Sequence, residues 1–108
     1  MKKTFELKTP LHSLLGEAIS VLTLDFDQIK TRDYATMCQI ERRLRGDGEL
    51  VAEVQLAKAT SIEFRMAASW VAALKGTKGL MLDMIDDLAM PDLLRLANES
   101  LSFLAGLE

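Results

Sequence analysis

AISVLTLDF, residues 18–26, is the stretch of the sequence that decides the fold. It is rich in β-branched residues, and its apolar side chains alternate through Leu22, Leu24 and Phe26. This alternation is the period of a strand that buries one face. We therefore expect a strand over residues 18–26, and the rest of the chain must supply a surface for its apolar face.

A second strand is predicted upstream, over residues 4–8, where Phe5 and Leu7 alternate with polar side chains. Thr9-Pro10 is expected to end it, because proline has no N–H to donate to a ladder. Gly16-Glu17 offers the turn between the strands. An isolated hairpin is marginally stable, so this one must lie on helices or pair with another chain through an edge.

Helical periodicity follows the hairpin. An apolar face at spacings of three and four residues predicts a helix that starts after a cap at Asp27 or Thr31 and stops at Gly46–Gly48. The residues of that face are Tyr34, Met37, Ile40 and Leu44, and those expected to face solvent are Gln39, Glu41, Arg42, Arg43 and Arg45.

Further helices are expected in the second half. A short amphipathic stretch covers residues 49–58, a helix runs from Ser61 to Gly76, and a short helix covers residues 80–88. Met90-Pro91-Asp92 then starts a last helix, with proline at a first helical position. The side chains predicted to be buried are Ile40, Leu44, Ile62, Met66, Trp70, Leu74, Leu94, Ala97, Leu101 and Leu104.

The fold class predicted from these elements is mainly α with an N-terminal β-hairpin (α+β). We expect residues 1–108 to form one domain, with a hairpin at about 4–26 and a small helical bundle at about 28–106 packed on it. The chain has 108 residues, 49% of them hydrophobic and 27% charged, which is ordinary globular composition. A domain of this size can fold without disulfides or metals.

The charge pattern argues against nucleic acid as a partner. The net charge is −3, and residues 1–45 carry +2 whereas residues 46–108 carry −5. Arg42, Arg43 and Arg45 are the nearest approach to a basic patch, and arginines at a helix end usually complement the helix dipole. No run is apolar and long enough for a secretion signal or a membrane span. With a single cysteine the chain is expected in a reducing cytoplasm, without contact with a membrane.

Catalytic chemistry is not expected. His12 is the only histidine and Cys38 the only cysteine, and a single histidine without a cysteine pair cannot make a zinc site. Cys38 lies in a predicted helix without a basic neighbour, which favours an inert thiol over a nucleophile. Asp83, Asp86 and Asp87 share a helix face and could hold a cation, but a solvated acidic face is the preferred interpretation. Gly76–Gly79 lacks the spacing of a phosphate loop. The sequence therefore predicts a protein that is not an enzyme and has no cofactor.

The methionines suggest a binding surface. Methionine adapts to irregular apolar partners, although it also fills gaps in cores, and both interpretations stay open. Met81, Met84 and Leu88 are predicted on one face of the short helix, with Met90 just beyond. These four residues are the first candidates for partner binding, and the hairpin edge at Leu22, Leu24 and Phe26 supplies the next candidates.

The order of these elements resembles that of the tail assembly chaperones of Mu-like and related contractile-tailed bacteriophages. The segments that carry the resemblance are FELKTP, GEAISVLTLDF, TRDY and ASWVAALKGTKGLMLDMIDDLAMPDLLRLANESLSFLAG. The matching positions are Pro10, Leu22-Thr23-Leu24, Asp33, Ala72-Ala73-Leu74, Gly79-Leu80, Leu88, Asp92-Leu93-Leu94 and Phe103-Leu104. The chain departs from the family pattern in two places. Asp25-Phe26-Asp27 follows the strand at a point where the family commonly has a proline, and the segment after Gly79 is rich in methionine instead of starting with proline.

The resemblance implies a non-catalytic role. Such chaperones bind the long tape measure protein in the host cytoplasm, keep it soluble before the tail tube polymerises, and are absent from the mature virion. In several phages a frameshifted longer form recruits the tail tube protein. The alternatives are a small oligomeric structural or adaptor protein of the tail, which would pair through the hairpin edge, and a helical transcriptional regulator, which the acidic second half disfavours.

Overall fold

The computed structural model describes residues 2–46 and 61–105. Strand β1 (Lys2–His12) and strand β2 (Ala18–Asp25) pair antiparallel, and helices α1 (Tyr34–Arg45), α2 (Ile62–Gly76), α3 (Met90–Ala97) and α4 (Leu101–Ala105) follow. A hairpin followed by helices confirms the predicted fold class. The helix predicted at residues 49–58 lies outside the described residues.

The prediction that Thr9-Pro10 ends the first strand is wrong, because β1 continues to His12. The regular register runs from Lys2 opposite Asp25 to Glu6 opposite Val21, is interrupted, and resumes with Leu11 opposite Ile19. Pro10 lies in this interruption, where the ladder does not need the N–H group that proline lacks. The strand thus bends around its proline instead of stopping at it.

The hairpin turn is closed by two backbone hydrogen bonds. The Ser13 N–H donates to the Glu17 carbonyl at 2.8 Å, and the Gly16 N–H donates to the Ser13 carbonyl at 2.9 Å. Gly16 has φ +84°, a conformation that glycine adopts without strain. At the other end of β2, Phe26 leaves the strand for a 3₁₀ turn (Phe26–Gln28) and its ring lies 5.2 Å from that of Phe103.

Helix α1 begins one residue after Asp33, so the cap predicted at Asp27 or Thr31 is wrong. The Asp33 carboxylate accepts a hydrogen bond from the Lys30 N–H at 2.7 Å, and it forms an ion pair with the Lys75 ammonium at 3.2 Å. Gly46, with φ +65°, terminates the helix in the left-handed conformation, as the glycine pattern predicts.

Helix α2 is the centre of the molecule. The Ser61 hydroxyl caps it by accepting the Phe64 N–H at 3.1 Å. Its small residues Ala67, Ala68, Ala72 and Ala73 are fully buried with Trp70, so the sheet and the other helices approach its backbone closely. The helix ends at Gly76, as predicted, and a Cβ there would lie 2.3 Å from the Thr23 carbonyl oxygen of β2.

The C-terminal elements are shorter than the sequence suggests. The segment predicted as a helix over residues 80–88 is a 3₁₀ helix, Leu82–Asp87. The predicted last helix is divided by a 3₁₀ turn, Asn98–Ser100. The Ser100 hydroxyl donates to the Arg65 carbonyl at 2.9 Å, and the Ser69 hydroxyl donates to the Leu96 carbonyl at 2.8 Å. These bonds attach the divided helix to α2.

The predicted core is partly right. Ile40, Met66, Trp70, Ala97 and Leu104 are buried, and Leu44 and Leu74 are half-buried. Three predictions are wrong, because Ile62, Leu94 and Leu101 are exposed. On α3 the buried face carries Leu93 and Leu96 instead of Leu94. The turn at Asn98–Ser100 then rotates the chain so that Leu104 of α4 is also buried.

The solvent face predicted for α1 needs two corrections. Gln39, Arg42 and Arg43 are exposed, whereas Glu41 is fully buried and Arg45 is partly buried. Tyr34, predicted on the apolar face, is half exposed. The Glu41 carboxylate accepts a hydrogen bond from the Ser61 hydroxyl at 3.0 Å and lies 3.8 Å from the Arg45 guanidinium. Local partners from the chain therefore compensate for burial of the Glu41 charge.

Candidate partner-binding groove

A groove of about 710 Å³ lies between the hairpin tip and the loop that follows α2. One wall is the chain from Ser13 to Val21, and the other wall comprises Thr77–Gly79 and Met81. Residues 56 or more positions apart in the sequence thus form one concave surface, which we call the hairpin groove. Concave surfaces with apolar side chains and a few polar groups are the usual binding sites of proteins.

Large apolar side chains are exposed along the hairpin groove. Leu14 and Leu15 are 85% and 86% exposed, and Met81 on the opposite wall is 50% exposed. Val21 is also exposed, on the outer face of β2. Single exposed apolar residues are normal, but a group of them around one cavity marks an interaction surface.

Backbone groups of β2 also face the hairpin groove. The Thr23 N–H donates to the Thr77 hydroxyl at 2.9 Å, and that hydroxyl donates to the Thr23 carbonyl at 3.3 Å. Both backbone groups of Thr23 therefore point away from β1. Because the direction alternates along an antiparallel strand, the N–H and C=O groups of Val21 point to the same edge, whereas Ile19 pairs with Leu11 beyond the interruption of the register. Thr77 closes this edge at Thr23, and Ile19 and Val21 lie in the groove beyond it.

The loop wall is held by contacts with the core. Gly76 brings the end of α2 against Thr23, and Gly79 has φ +80° in the turn that follows. The indole N–H of Trp70 donates to the Leu82 carbonyl at 3.0 Å, and the Met81 N–H lies 3.1 Å from the sulfur of Met84. The wall that carries Met81 is therefore fixed to the central helix.

The residues predicted for partner binding are divided between surface and core. Met81 lines the hairpin groove, and Met90 is exposed at the start of α3 but is not part of the groove lining. The prediction that Met81, Met84 and Leu88 share one face is wrong, because Met84 and Leu88 are buried. The 3₁₀ geometry of Leu82–Asp87 has about three residues per turn, which separates these side chains.

The second set of candidates lies beneath the hairpin. Leu22, Leu24 and Phe26 are buried in the core cluster. Their alternation marks the inner face of β2, so their side chains are not available at the surface of this structure. The accessible part of the hairpin is its tip and its outer edge, which the sequence analysis did not distinguish from the inner face.

The acidic residues after the groove have a structural partner. Arg43 of α1 donates to Asp83 at 3.0 Å and to Asp86 at 2.8 Å. Asp83, Asp86 and Asp87 are all exposed, in agreement with a solvated acidic face. Within residues 2–46 and 61–105, no group of three histidine, cysteine or acidic residues is placed to hold a metal ion.

Asp92 is a buried polar residue that sequence reasoning missed. Its carboxylate accepts the backbone N–H groups of Lys8 and Thr9, each at 3.1 Å, and the guanidinium of Arg95 at 2.6 Å. Arg95 also lies over the ring of Phe5, at 4.6 Å from its centroid. Burial opposes ionisation of Asp92, but the two amide hydrogen bonds and the Arg95 charge outweigh it and lower the pKa of the carboxyl.

Cys38 is buried on α1, in line with the inert thiol favoured from sequence. A hydrogen bond with Cys38 raises the pKa of the Tyr34 hydroxyl above its ordinary value.

The two leucines at the hairpin tip were also missed. Their signal in the sequence is an adjacent apolar pair directly before the turn glycine, Leu14-Leu15-Gly16, where turns usually carry polar residues.

Comparison of the chain with protein-family models, with curated protein sequences and with solved structures gives no match. None of the helices in the described part of the chain has the length and apolar character needed to cross a membrane. The features of the protein that bear on its function are therefore the hairpin groove and the resemblance in element order.

Proposed function

We propose that the protein is a non-catalytic tail assembly chaperone of a tailed bacteriophage, which binds the tape measure protein and keeps it soluble during tail assembly. The observation that carries this proposal is the exposure of Leu14, Leu15 and Met81 around the hairpin groove. The resemblance in element order supplies the class of client. The site of action is the cytoplasm of the bacterial host, and the protein leaves before the virion is complete.

The chemistry of the groove suits a temporary apolar client. A chaperone must cover apolar side chains and later release them, so it needs several modest contacts in place of one rigid pocket. Two leucines on a hairpin tip and a methionine on the opposite wall are adaptable contacts of this kind. The tail tube protein is a further proposed partner, through a longer form of the chaperone.

The proposal is tested by co-expression with a tape measure fragment. The test variant is Leu14→Ser combined with Leu15→Ser, which removes apolar surface from the groove. The matched control is Leu94→Ser combined with Leu101→Ser, two leucines that are exposed on α3 and α4. Soluble complex and the free energy of unfolding are measured for each variant.

We expect the groove variant to lose soluble complex while its stability stays within about 0.5 kcal/mol of the parent, as for most surface substitutions. The control should retain the complex. If the groove variant keeps the soluble complex and the control loses it, the client site lies on the C-terminal helices. Retention by both variants would contradict an apolar client site in either place.

The second candidate is a small oligomeric structural or adaptor protein of the tail. The observation that favours it is the edge of β2 at Val21, where the backbone groups point away from β1 and can extend a sheet into another subunit. Mass spectrometry of purified particles separates the two functions, because an adaptor remains in the particle and a chaperone does not.

A further inference from the structure

We propose that two copies of the free protein associate through the outer face of α3 and α4, as an antiparallel pair of helical segments related by a two-fold axis. Self-association of this kind goes beyond the proposed function, because it involves neither the hairpin groove nor a client. Three features of the face support it, namely the absence of charge, the order of the side chains and the position of one asparagine among them.

The outer face of α3 and α4 is exposed and uncharged. Seven residues between positions 90 and 105 are exposed, and we call them the neutral face: Met90, Pro91, Leu94, Asn98, Leu101, Ser102 and Ala105. Its three large apolar side chains, those of Met90, Leu94 and Leu101, expose between 45% and 61% of their surface. A solvated helix face normally carries charged side chains, and a group of exposed apolar side chains without charges is typical of an interaction surface.

The 3₁₀ turn between α3 and α4 does not interrupt this face. The backbone beside the turn keeps the dihedral angles of a right-handed helix, with φ −55° and ψ −34° at Ala97. Residues 90–105 therefore form one helical rod about 24 Å long. Its exposed side chains follow each other at intervals of four, four, three and four residues, at Met90, Leu94, Asn98, Leu101 and Ala105. Such intervals align side chains along a helix into the seam of a helix pair.

The side chains of the neutral face are arranged almost symmetrically about Asn98. In an antiparallel pair whose two-fold axis lies beside Asn98, Leu94 is opposite Leu101 of the other copy, and the symmetry produces this contact twice. At the two ends of the pair, Met90 is opposite Ala105 of the other copy, so a long side chain meets a short one. A second copy therefore matches the neutral face along its whole length.

Asn98 favours a second copy over a partner of different sequence. It is the polar residue at the middle of the seam, and the two-fold axis places it against Asn98 of the other copy. A carboxamide both donates and accepts hydrogen bonds, so two identical side chains satisfy each other, and a single asparagine in such a seam fixes the register of the pair. The nearest charged residues, Arg95 and Glu99, are half-buried at the rim, so the pairing places no like charges in the seam.

The size of the neutral face predicts a modest affinity. A rod of this length buries on the order of 500 Å² per copy, compared with about 800 Å² per partner in a standard interface. Interfaces below the standard size belong to weak, reversible complexes, so we expect a dissociation constant in the micromolar range. None of the residues of the neutral face lines the hairpin groove, and pairing through this face does not occupy the groove.

The test is sedimentation velocity of the free full-length protein from about 1 to 300 μM, a range suited to a weak interface. The variants are Leu94→Glu and Leu101→Lys, each alone and mixed in equal amounts. Both introduce good helix formers at exposed positions, and circular dichroism checks that they remain folded. In the antiparallel pair, the mixed dimer places one new carboxylate opposite one new ammonium and keeps one leucine pair. In a parallel pair the two new charges never meet.

The control is Leu14→Ser combined with Leu15→Ser, which also changes two exposed leucines but lies at the hairpin tip. We expect a concentration-dependent dimer for the parent and for this control. Each charged variant alone should raise the dissociation constant about tenfold or more, because a charge is placed on apolar surface. The mixture should dimerise at concentrations at which either charged variant alone is monomeric.

A parent that stays monomeric at 300 μM overturns the dimer. Charged variants that dimerise like the parent, or a control that loses the dimer, overturn the neutral face as its interface. A mixture that stays monomeric overturns the antiparallel register. All measurements use free protein, so these failures leave the client test of the proposed function unaffected.

Discussion

Asp92 connects α3 to the hairpin through two hydrogen bonds from backbone amides of β1, and it accepts a third from Arg95 of its own helix. Asp92→Asn keeps the shape of the side chain but removes its charge and gives one former acceptor position to an NH₂ group. We expect the free energy of unfolding to fall by about 1.5–3 kcal/mol, the usual range for hydrogen bonds to a charged group. Urea unfolding measures it, and Asp87→Asn, at an exposed position, should change stability by less than about 0.5 kcal/mol.

The same carboxyl makes stability depend on pH. The pKa of Asp92 is lowered from its ordinary 3.8 in the folded protein, so ionised Asp92 stabilises the fold above that value. This stabilisation is lost as the pH falls from about 4 through the lower folded pKa. Hydrogen bonding from the Lys30 amide, with help from Lys75, lowers the pKa of Asp33 in the same direction.

Unfolding measured between pH 6 and pH 2 should therefore show a decline of stability below about pH 4, with a shallower decline in the Asp92→Asn variant. Equal slopes for parent and variant would show that Asp92 is not responsible. The sequence alone could not predict this behaviour, because it placed Asp92 only at the start of the last helix. Its partners at Lys8 and Thr9 lie 84 and 83 residues away, and single-sequence periodicity carries no information about such pairs.

Helices α3 and α4 show that a turn between two helical segments changes which residues of a periodic sequence are buried. The sequence predicted Leu94, Leu101 and Leu104 as buried residues of one last helix. The 3₁₀ turn at Asn98–Ser100 changes the rotation of α4 relative to α3. Within α4 the buried side is that of Leu104, which is 6% exposed, and not that of Leu101, which is 45% exposed. The existence of the helical segments was predictable, but their relative rotation was not.

This pair of leucines provides a matched test. Leu104→Ala should lower the free energy of unfolding by about 2–5 kcal/mol, since it leaves a cavity in the core. Leu101→Ala should lower it by less than about 1 kcal/mol, because a half-exposed side chain loses less apolar contact. Thermal or urea unfolding measures the free energy of unfolding of both variants. A larger loss for Leu101→Ala than for Leu104→Ala would contradict the rotation of α4.

The junction of α2 with β2 gives a second prediction at the scale of elements. Gly76→Ala would bring a methyl group within 2.3 Å of the Thr23 carbonyl oxygen, so helix and strand must separate. We expect a loss of about 1–3 kcal/mol, the range for overpacking, although alanine is normally the better residue in a helix. Lys78→Ala in the same loop, at an exposed position, is the control, and an unchanged or raised stability for Gly76→Ala would refute the close approach.

At the scale of the whole molecule, the hairpin and the helices share one core cluster, from Phe5 of β1 to Leu104 of α4. Trp70 is fully buried in it and donates a hydrogen bond to Leu82. We expect tryptophan fluorescence and far-ultraviolet circular dichroism to report the same urea midpoint, because neither part can unfold while the other keeps its buried face. Separate midpoints would mean that the hairpin or a helix unfolds on its own, against the single domain expected from sequence.

The overall class was predictable because the two periods, two residues in the strands and about 3.6 in the helices, are properties of local sequence. The hairpin groove was not predictable in the same way. One wall is the chain from Ser13 to Val21 and the other comprises Thr77–Gly79 and Met81, and they lie together because Gly76 lets α2 approach β2 closely. The methionines indicated one wall, whereas the sequence carried no prediction for Leu14 and Leu15 at the tip.

The hydrogen bonds from Lys8 and Thr9 to Asp92 have a consequence for synthesis on the ribosome. The partners are separated by 84 and 83 residues, and elongation on the ribosome adds about 5–20 residues per second. The first strand is therefore complete for roughly 4–17 s before the residue that fixes its bend has been added. During that interval the nascent strand has no Asp92 to hold its proline-containing stretch, so the hairpin reaches its final form only after Asp92 has been added to the chain.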